Sequence, residues 1–211
     1  MKLHDDLHDI LIFQGMRLQL QLSFDTVLRA QELQSDNTFT PAEKIDIWCE
    51  MYVKNYEDIQ SCDIDMKVEI VRVIYQNFIH NENTNNYDEE PNEPVFDFEQ
   101  DAEIIYASFL YDYGMDLYEQ QGKLHWKKFI SLLSSLSEKS KFGQVVGIRT
   151  AKLPKRTKEN AEERAHMQRL KRLYALKPNE SNKEQHIQAL DDKMSAFANR
   201  LKKGGKPNGR R

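Results

Sequence analysis

The chain has 211 residues, of which 39% are hydrophobic and 30% are charged, which suits one domain with tails or two small domains. Its formal net charge of −4 is unevenly spread: residues 149–211 hold 18 Lys/Arg against 7 Asp/Glu, or +11, and residues 1–148 hold 12 against 27, or −15. An acidic body with a basic C-terminal part is typical of an interaction protein, and no run approaches the ~18 apolar residues that a membrane-spanning helix needs.

The first predicted element is a β-hairpin in the segment ILIFQGMRLQLQLS. Every second residue from Met16 to Leu22 is apolar, which is the period of a half-buried strand. Gln14 and Gly15 supply the tight turn because glycine tolerates a positive φ. A lone hairpin is marginal in water, so it must rest on helices or on another chain. The preceding MKLHDDLHD is acidic, unlike a signal peptide, and we expect a cytosolic protein.

Three helices are predicted for the rest of the N-terminal part, residues 1–80. The first, FDTVLRAQEL, covers residues 24–33 and has apolar residues at helical spacing. The second begins with a capping box, in which Thr40 caps, Pro41 takes the first helical position and Glu43 closes the box. The third covers residues 64–80. The core stripes predicted for the second and third helices are Ile45, Trp48, Cys49, Tyr52 and Tyr56, and Met66, Ile70, Val73, Ile74 and Phe78.

Residues 81–95 are rich in Asn, Glu, Asp and Pro, a composition that predicts an acidic flexible linker. A helical module is predicted at residues 96–154. Its first helix begins with Asp97 as N-cap and ends at Gly114 in a left-handed conformation; two further helices cover residues 123–136 and 139–151. The stripe predicted for the first helix consists of Ala102, Ile105, Tyr106, Phe109 and Leu110.

Residues 155–203 are predicted to form a charged helical tail, and residues 204–211 are disordered by composition. The apolar stripes of the tail are too thin to be buried alone and suit an extended helix, a helical hairpin or a partner's groove. They consist of Met167, Leu170, Leu173 and Tyr174, and then of Ile187, Leu190, Met194, Phe197 and Leu201. The predicted fold is therefore mainly α: a small N-terminal hairpin, a helical bundle and extended basic C-terminal helices.

No segment carries a recognisable catalytic or cofactor-binding motif, so we expect neither an enzyme nor a cofactor. His4 and His8, with aspartates around them, would share one face of a helix as metal ligands do, but they lead into a strand pattern and no metal site is predicted. His125 beside Trp126 has no recognisable nucleophile near it, which favours a packed histidine over a general base. The two cysteines lack metal-site spacing and are expected to be free thiols.

Residues 97–153, DFEQDAEIIYASFLYDYGMDLYEQQGKLHWKKFISLLSSLSEKSKFGQVVGIRTAKL, contain a recognisable set of motifs. The motif residues are Asp101-Ala102, Ile105-Tyr106-Ala107 with Phe109, Tyr113-Gly114 with Asp116-Leu117, Leu124-His125-Trp126 with Lys128-Phe129, and Arg149. This pattern resembles the bacteriophage gene-product-fifteen family. The hairpin and the segments FDTVLRAQEL and PAEKI also resemble the first half of that family, so the resemblance covers residues 10–155.

The resemblance implies a protein encoded in the tail-morphogenesis gene clusters of long-tailed phages of Gram-positive bacteria, next to the tape measure protein. That position resembles the one held by tail assembly chaperones, which keep the long, helical tape measure soluble. The predicted function is therefore that of a tail-assembly-chaperone-like protein in the host cytoplasm. It binds the tape measure protein, supports tail tube assembly, and has the tail tube protein and a second copy of itself as further candidate partners. The predicted partner-binding residues are Tyr113, Trp126, Phe129, Leu170, Tyr174 and Phe197.

Two alternatives remain open: a structural or accessory protein of the virion tail, and a nucleic-acid-associated packaging factor. The basic tail could neutralise phosphates. Its acidic residues are interspersed with the basic ones, however, and it lacks the interleaved aromatics of single-strand binders. Nucleic acid is therefore not an expected partner.

Overall fold

The computed structural model describes residues 7, 9–80, 95–157 and 160–177. The chain divides into two compact units; among the described residues, the first holds those up to 80 together with 122–127, and the second holds 95–121 and 128–177. The elements are β1 (Ile10–Phe13), β2 (Met16–Gln19), α1 (Phe24–Ser35), α2 (Pro41–Tyr52), a 3-10 turn (Tyr56–Asp58), α3 (Ile64–Ile74), a π-helical turn (Tyr75–Ile79), α4 (Ala102–Tyr113), α5 (Trp126–Ser134), α6 (Lys141–Thr150) and α7 (Ala161–Leu173). The fold is mainly α with a small N-terminal hairpin, as predicted. None of the described helices combines the length and the apolarity needed to cross a bilayer.

The N-terminal hairpin is confirmed in position and in turn chemistry. β1 and β2 pair in antiparallel fashion, with Phe13 opposite Met16 across the two-residue turn. Gln14 and Gly15 both have a positive φ, 48° and 84°, the combination whose twist matches that of the flanking strands. Leu18 of β2 is fully buried. The alternating apolar pattern therefore identifies the face of the hairpin that packs against the core.

The chain beyond β2 pairs with helix ends instead of with a third strand. Leu20 forms an isolated bridge with Val53, just after α2, and Ser23 forms one with His125, just before α5. The backbone N–H of Trp126 also donates to a carbonyl of this segment, at 2.7 Å. The hairpin therefore rests on helical segments of its own unit, which supplies the support that an isolated hairpin lacks.

The start of α2 confirms the predicted capping box. The Glu43 N–H donates to Thr40 Oγ1 at 3.3 Å, and the Thr40 N–H donates to Glu43 Oε2 at 2.7 Å. Pro41 occupies the first turn, where its missing N–H leaves no hydrogen bond unmade. In α3 the Asp63 carboxylate caps in the same way, by accepting the Met66 N–H at 2.8 Å.

The buried face of α3 differs from the predicted stripe. Of the predicted residues, Ile70 and Ile74 are buried, whereas Met66, Val73 and Phe78 are half-buried. Val68, Val71 and Lys67 are buried as well. Lys67 can lie inside because its Nζ donates to Asp46 Oδ1 at 2.8 Å and to the Gln60 carbonyl at 2.9 Å, so its charge keeps polar partners while its stem packs.

Helix α4 begins later than predicted. Asp97 is not its N-cap, because its carboxylate accepts the N–H groups of Glu99 and Gln100 at 2.9 Å and so closes a separate turn. The predicted end is confirmed: Gly114 has φ 60°, and its N–H donates to the Leu110 carbonyl at 3.0 Å. Glycine adopts this left-handed conformation without steric cost.

The interior of the second unit is built on phenylalanine. Phe109 of α4 stacks on Phe129 of α5 with ring centroids 5.3 Å apart, and Phe98 lies 6.0 Å from Phe129. Phe96 meets Phe142 of α6 edge to face at 5.5 Å. Such offset and edge contacts stabilise more than the buried area alone. These phenylalanines therefore form the core of the second unit.

Helix α7 is held to α6 by hydrogen bonds to backbone carbonyls. Arg149 Nε donates to the Tyr174 carbonyl at 2.6 Å, and Lys171 Nζ donates to the Arg149 carbonyl at 2.6 Å. No residue of α7 is fully buried, which agrees with its narrow apolar stripe. The predicted tail residues from 178 onward, Phe197 among them, lie outside the described residues.

Candidate functional site

The most prominent exposed apolar surface of the second unit is one face of α4. Tyr111 is 68% exposed and Leu110 is 47% exposed, and Tyr118, in the turn after the helix, is 71% exposed. Tyr106 joins them, because it lies one turn before Leu110 and its ring centroid is 5.2 Å from that of Tyr118. We call Tyr106, Leu110, Tyr111 and Tyr118 the α4 face.

The opposite side of the same helix anchors it in the core. Ile105, Ser108 and Phe109 are buried, and the buried Ser108 hydroxyl donates to the Ile104 carbonyl at 2.7 Å and accepts the Phe142 N–H at 2.9 Å. Helix α4 is therefore apolar on its buried side and on its exposed side. A helix that is apolar all round is normally enclosed by protein, so its exposed side marks a contact surface.

The turn after α4 fixes the position of Tyr118 within this face. Gly114 ends the helix, and Asp116 Oδ1 then accepts the Tyr118 N–H at 2.9 Å. The other oxygen of Asp116 accepts a hydrogen bond from the Tyr106 hydroxyl at 3.3 Å. One carboxylate therefore joins the helix to the turn and holds the two tyrosine rings together.

Carboxylates border the α4 face. Burial, followed by the neighbouring charges of Asp116 and Glu119, raises the pKa of Tyr106, so this phenol is neutral and a hydrogen-bond donor at physiological pH. Glu103 lies one turn before Tyr106 and is exposed. The face thus combines apolar side chains and phenol groups with an acidic edge, which suits a partner segment that carries an apolar stripe flanked by basic residues.

The predicted partner-binding residues of the helical module are largely internal. Trp126 is 6% exposed and donates through Nε1 to the Ile79 carbonyl at 3.1 Å, and Phe129 is 1% exposed. Tyr113 is half-buried, and its hydroxyl donates to the Leu132 carbonyl at 2.8 Å. Burial raises the pKa of Tyr113, and the charge of the neighbouring Asp112 adds to the effect. Their role as partner contacts stays a prediction.

The predicted residues of the tail helix, Leu170 and Tyr174, are half-buried. Tyr174 contacts α6, because its hydroxyl accepts a hydrogen bond from Lys141 Nζ at 2.8 Å. The same ammonium lies 4.8 Å from the centre of the Tyr174 ring, a favourable cation–π distance. Leu173, which points away, is 70% exposed.

The residues of the α4 face were not among the predicted partner contacts. The predicted core stripe of α4 includes Tyr106 and Leu110, and it is wrong for Leu110 and for Ala102, because both are exposed. A usable signal is present in the sequence: AEIIYASFLYDY holds more apolar residues than a single buried stripe requires. Periodicity alone does not tell which of the two apolar sides faces the core.

Both ring nitrogens of His125, a residue of the first unit, have hydrogen-bond partners. Nδ1 accepts the Lys127 N–H at 3.0 Å, and Nε2 lies 3.0 Å from Asp9 Oδ1. The neutral ring therefore carries its proton on Nε2 and donates it to Asp9. The nearby Ser23 hydroxyl is hydrogen-bonded to Thr26 at 2.9 Å, and in this arrangement neither nitrogen of His125 is left to accept a proton from it.

Among the described residues, no group of three or more His, Cys, Asp or Glu side chains comes together as a metal site would require. Within that same part of the chain, every buried side-chain nitrogen and oxygen has a hydrogen-bond partner. His4 and His8 lie outside the described residues. The α4 face is the most prominent exposed apolar feature of the second unit.

Comparison with known proteins supports the resemblance drawn from the motifs. No curated protein and no solved structure matches the chain. The family described as Bacteriophage Gp15 protein matches it over residues 3–176, which includes the hairpin, all seven described α-helices and the α4 face. The chain belongs to the bacteriophage Gp15 protein family.

Proposed function

We propose that this protein is a phage tail-assembly-chaperone-like protein that binds the tape measure protein and supports tail tube assembly, and that the α4 face is its client-binding surface. The observation that carries the proposal is the exposure of Leu110, Tyr111 and Tyr118 on a helix whose other side is already buried. The family supplies the phage context. The choice of the tape measure protein as the client comes from the gene neighbourhood that the family resemblance implies.

The chemistry of the α4 face fits a helical client. Tyr106 and Leu110 stand at the i, i+4 spacing of neighbouring residues on one helix face, and exposed Tyr111 extends the apolar surface to the adjoining side of α4. The twelve residues of α4 span about 18 Å, which is enough for three to four turns of a client helix. A chaperone needs such a surface because the apolar stripe of an unassembled helix aggregates unless it is covered.

Two of the basic residues of α6 and α7, Arg149 and Lys171, are engaged within the protein, which favours a protein client over nucleic acid. Arg149 is paired with Asp101 through two hydrogen bonds of 2.6 and 2.8 Å, and Lys171 donates to a backbone carbonyl. These charges are already neutralised or engaged within the protein. They contribute little to phosphate binding, which depends on releasing counterions from free phosphates.

The test is co-expression with the tape measure protein of the same phage. We compare the soluble tape measure recovered with the wild-type chain, with a Leu110→Ser/Tyr111→Ser variant and with Leu173→Ser. The last variant removes a leucine of α7 in the same unit that is more exposed than Leu110, 70% against 47%. We expect the double variant to lose most of the soluble tape measure and the Leu173→Ser control to keep it. Equal recovery with all three chains would show that the α4 face does not bind this client.

Two further measurements separate the alternatives. A structural virion protein would be found at stoichiometric copy number in purified mature tails by mass spectrometry, whereas a chaperone would be absent from them. A packaging factor would bind nonspecific DNA with an affinity that falls steeply as salt increases. Either result would replace the chaperone proposal.

A further inference from the structure

We propose that the outer edge of strand β1 binds the same edge of a second copy of this chain, so that the two hairpins form one continuous antiparallel sheet. The proposal concerns the first unit and goes beyond the proposed function, which uses the α4 face of the second unit. It names the surface through which the chain associates with itself and the backbone groups that form the contact.

The outer edge of β2 is closed by residues of its own unit. Asn55 accepts the Gln19 N–H through Oδ1 at 2.8 Å and donates from Nδ2 to the Arg17 carbonyl at 2.9 Å. The Lys54 N–H donates to the Gln19 carbonyl at 2.7 Å. These contacts occupy backbone groups of β2 that point away from β1, so this edge of the hairpin cannot accept another strand.

The outer edge of β1 is open within the part of the chain that the structure describes. The Leu20 N–H donates to the Asp9 carbonyl at 2.6 Å, so these two residues form a hydrogen-bonded pair of the antiparallel ladder. Such pairs alternate with non-hydrogen-bonded pairs, which assigns Ile10 and Ile12, with the residues opposite them on β2, to the second kind. The N–H and C=O groups of Ile10 and Ile12 therefore point away from β2, and no described residue hydrogen-bonds to them.

The side chains of β1 lack the features that normally keep an open edge from pairing. Natural edge strands are protected by charged residues, by proline or by a covering segment. The strand has the sequence ILIF, without charge or proline, and Ile12 is 64% exposed. Ile10 is half-buried on the same face. An apolar edge of this kind accepts a further strand, with backbone hydrogen bonds giving affinity and alternate side chains giving specificity.

The edge is self-complementary around a two-fold axis at Leu11. Antiparallel pairing with Leu11 opposite Leu11 of the second copy places Ile10 of each chain opposite Ile12 of the other. The outward N–H and C=O groups of these residues then face each other as a hydrogen-bonded pair. The exposed Ile12 side chain is covered by Ile10 of the second copy, and cross-strand contacts between β-branched residues stabilise a sheet.

The charges of the flanking residues suit this register. Counted outward from the same axis, Asp9 lies opposite the apolar Phe13 of the second copy and not opposite another acid. Arg17 lies opposite Ile12 within its own hairpin, so the arginines of the two copies are separated by both β1 strands. Like charges directly opposite one another destabilise a sheet, and this register places none opposite one another in the two hairpins.

A second copy fits this edge better than the proposed helical client does. Along its length, a helix has no free backbone N–H or C=O groups that could pair with a strand edge. A contact made by one four-residue strand of each chain buries less than the ~1,200 Å² typical of stable interfaces. We therefore expect a weak dimer whose population depends on protein concentration.

The first test measures the edge amides of the full-length chain by NMR-detected hydrogen exchange along a dilution series. The amides of Ile10 and Ile12 should lose at least about tenfold in protection on dilution, whereas those of Leu11 and Phe13 stay protected because β2 binds their N–H groups. Edge amides that are protected at every concentration are covered within one chain. Edge amides that are unprotected at every concentration have no partner. Either of these two results would overturn the proposal.

The second test uses a matched pair of substitutions and sedimentation equilibrium. Ile12→Lys puts a charge on the edge strand, and Gln19→Lys puts the same charge on the same exposed face of the hairpin but on β2, whose edge is closed. Ile12→Lys should raise the dissociation constant of the dimer at least about tenfold, because it replaces the apolar contact with Ile10 of the second copy. Gln19→Lys should match the wild-type chain. Equal association of the two variants would refute the proposed edge.

A third variant separates this dimer from the α4 face. Leu110→Ser/Tyr111→Ser should leave the dimer unchanged, and far-UV circular dichroism verifies that each variant is folded. Association that is lost in this variant and kept in Ile12→Lys would assign self-association to the α4 face and reject the β1 edge. No tape measure is present in these measurements, so dimerisation through β1 can fail while the α4 face still determines client recovery, and the reverse can also occur.

Discussion

The buried ion pair between Arg149 and Asp101 offers the sharpest test of how the second unit is held together. The Asp101 side chain is 3% exposed and that of Arg149 is 12% exposed, and the guanidinium meets both carboxylate oxygens at 2.6 and 2.8 Å. Arg149 also donates to the carbonyls of Val95 at 3.0 Å and of Tyr174 at 2.6 Å. One side chain thus connects α6 with the segment before α4 and with the end of α7.

Replacing Arg149 with methionine should destabilise this unit by about 3–5 kcal/mol, because it leaves the Asp101 carboxylate buried without its counter-charge. Asp101→Asn should cost less, since the amide keeps an oxygen that can accept the Asp97 N–H now bound by Asp101 Oδ2 at 3.0 Å. In the double variant the unpaired charge is gone. The double variant should therefore lose less stability than the sum of the two single losses, by a coupling energy of about 1–3 kcal/mol.

The assay must report on the second unit. Both tryptophans lie in the first unit, so tryptophan fluorescence would miss the effect. Native-state hydrogen exchange of the amides of α4 and α6, followed in urea, measures the relevant free energy of opening. Arg169→Met, an exposed arginine on α7, is the control and should change stability by less than about 0.5 kcal/mol. An Arg149→Met loss below about 1 kcal/mol would refute the claim that this pair holds the unit together.

Three further predictions concern single positions. Gly143→Ala should be strongly destabilising, because a Cβ there would lie 2.3 Å from a backbone oxygen of the preceding loop. Gly147→Ala in the same helix places its Cβ where nothing lies within 4 Å and should stabilise by about 0.5–1 kcal/mol. Thermal denaturation compares the two variants, and equal effects on stability would contradict the close contact at Gly143. Burial raises the pKa of the Cys49 thiol to about 12, so at pH 8 a thiol reagent should modify Cys62 and spare Cys49 in the folded protein. Hydrogen bonds from the N-cap residue of α2 lower the pKa of Glu43 below its ordinary 4.5. The stability that Glu43 contributes is present above pH 4.5 and is lost as the pH falls through its lower folded-state pKa, so hydrogen exchange of the first turn of α2 should distinguish wild type from Glu43→Gln at pH 7 but not in strong acid.

Elements set by local chemistry could be predicted from the sequence. The Gln14-Gly15 turn, the box of Thr40 and Glu43, and the end of α4 at Gly114 each depend on residues within a few positions of one another. Their geometry is specified by short-range contacts. All three are present where the sequence indicates them.

Features set by distant contacts could not be predicted in the same way. Lys67 is buried because Asp46, 21 positions away, and a carbonyl at position 60 satisfy its ammonium. This outcome depends on which groups the folded chain brings together, and apolar periodicity carries no information on that choice.

The choice between the two apolar sides of α4 has a similar cause. Phe109 is buried because Phe129 and Phe98 supply aromatic partners in the same core, and the buried Ser108 is acceptable because its hydroxyl makes two hydrogen bonds. No described residue encloses Leu110 and Tyr111 in this way. The candidate site is thus the side of α4 that no core partner covers. Its apolar residues lie at helical spacing, so the sequence pattern does not distinguish it from the buried side.

The motif residues that identify the family and the residues of the α4 face have different roles: the first stabilise the fold and the second are the proposed binding surface. Asp101 and Arg149 form the buried ion pair, Gly114 and Asp116 form the turn that sets Tyr118 beside Tyr106, and His125 pairs with Asp9. Substituting Asp101, Arg149, Gly114 or His125 removes a buried or strained interaction, so stability should fall first and binding only as a consequence. Asp116 differs, because its carboxylate also holds Tyr106 and Tyr118 within the α4 face.

Leu110 and Tyr111 have no such interaction to lose, because their side chains are largely in solvent. Polar replacements there should leave unfolding almost unchanged and should alter only binding to the client. If substitutions of the motif residues lower stability and substitutions in the α4 face lower only client recovery, the motif serves the architecture and the face serves binding. If polar replacement of Leu110 and Tyr111 instead lowered the stability of the second unit as much as breaking the ion pair does, the α4 face would be part of the core of a larger assembly.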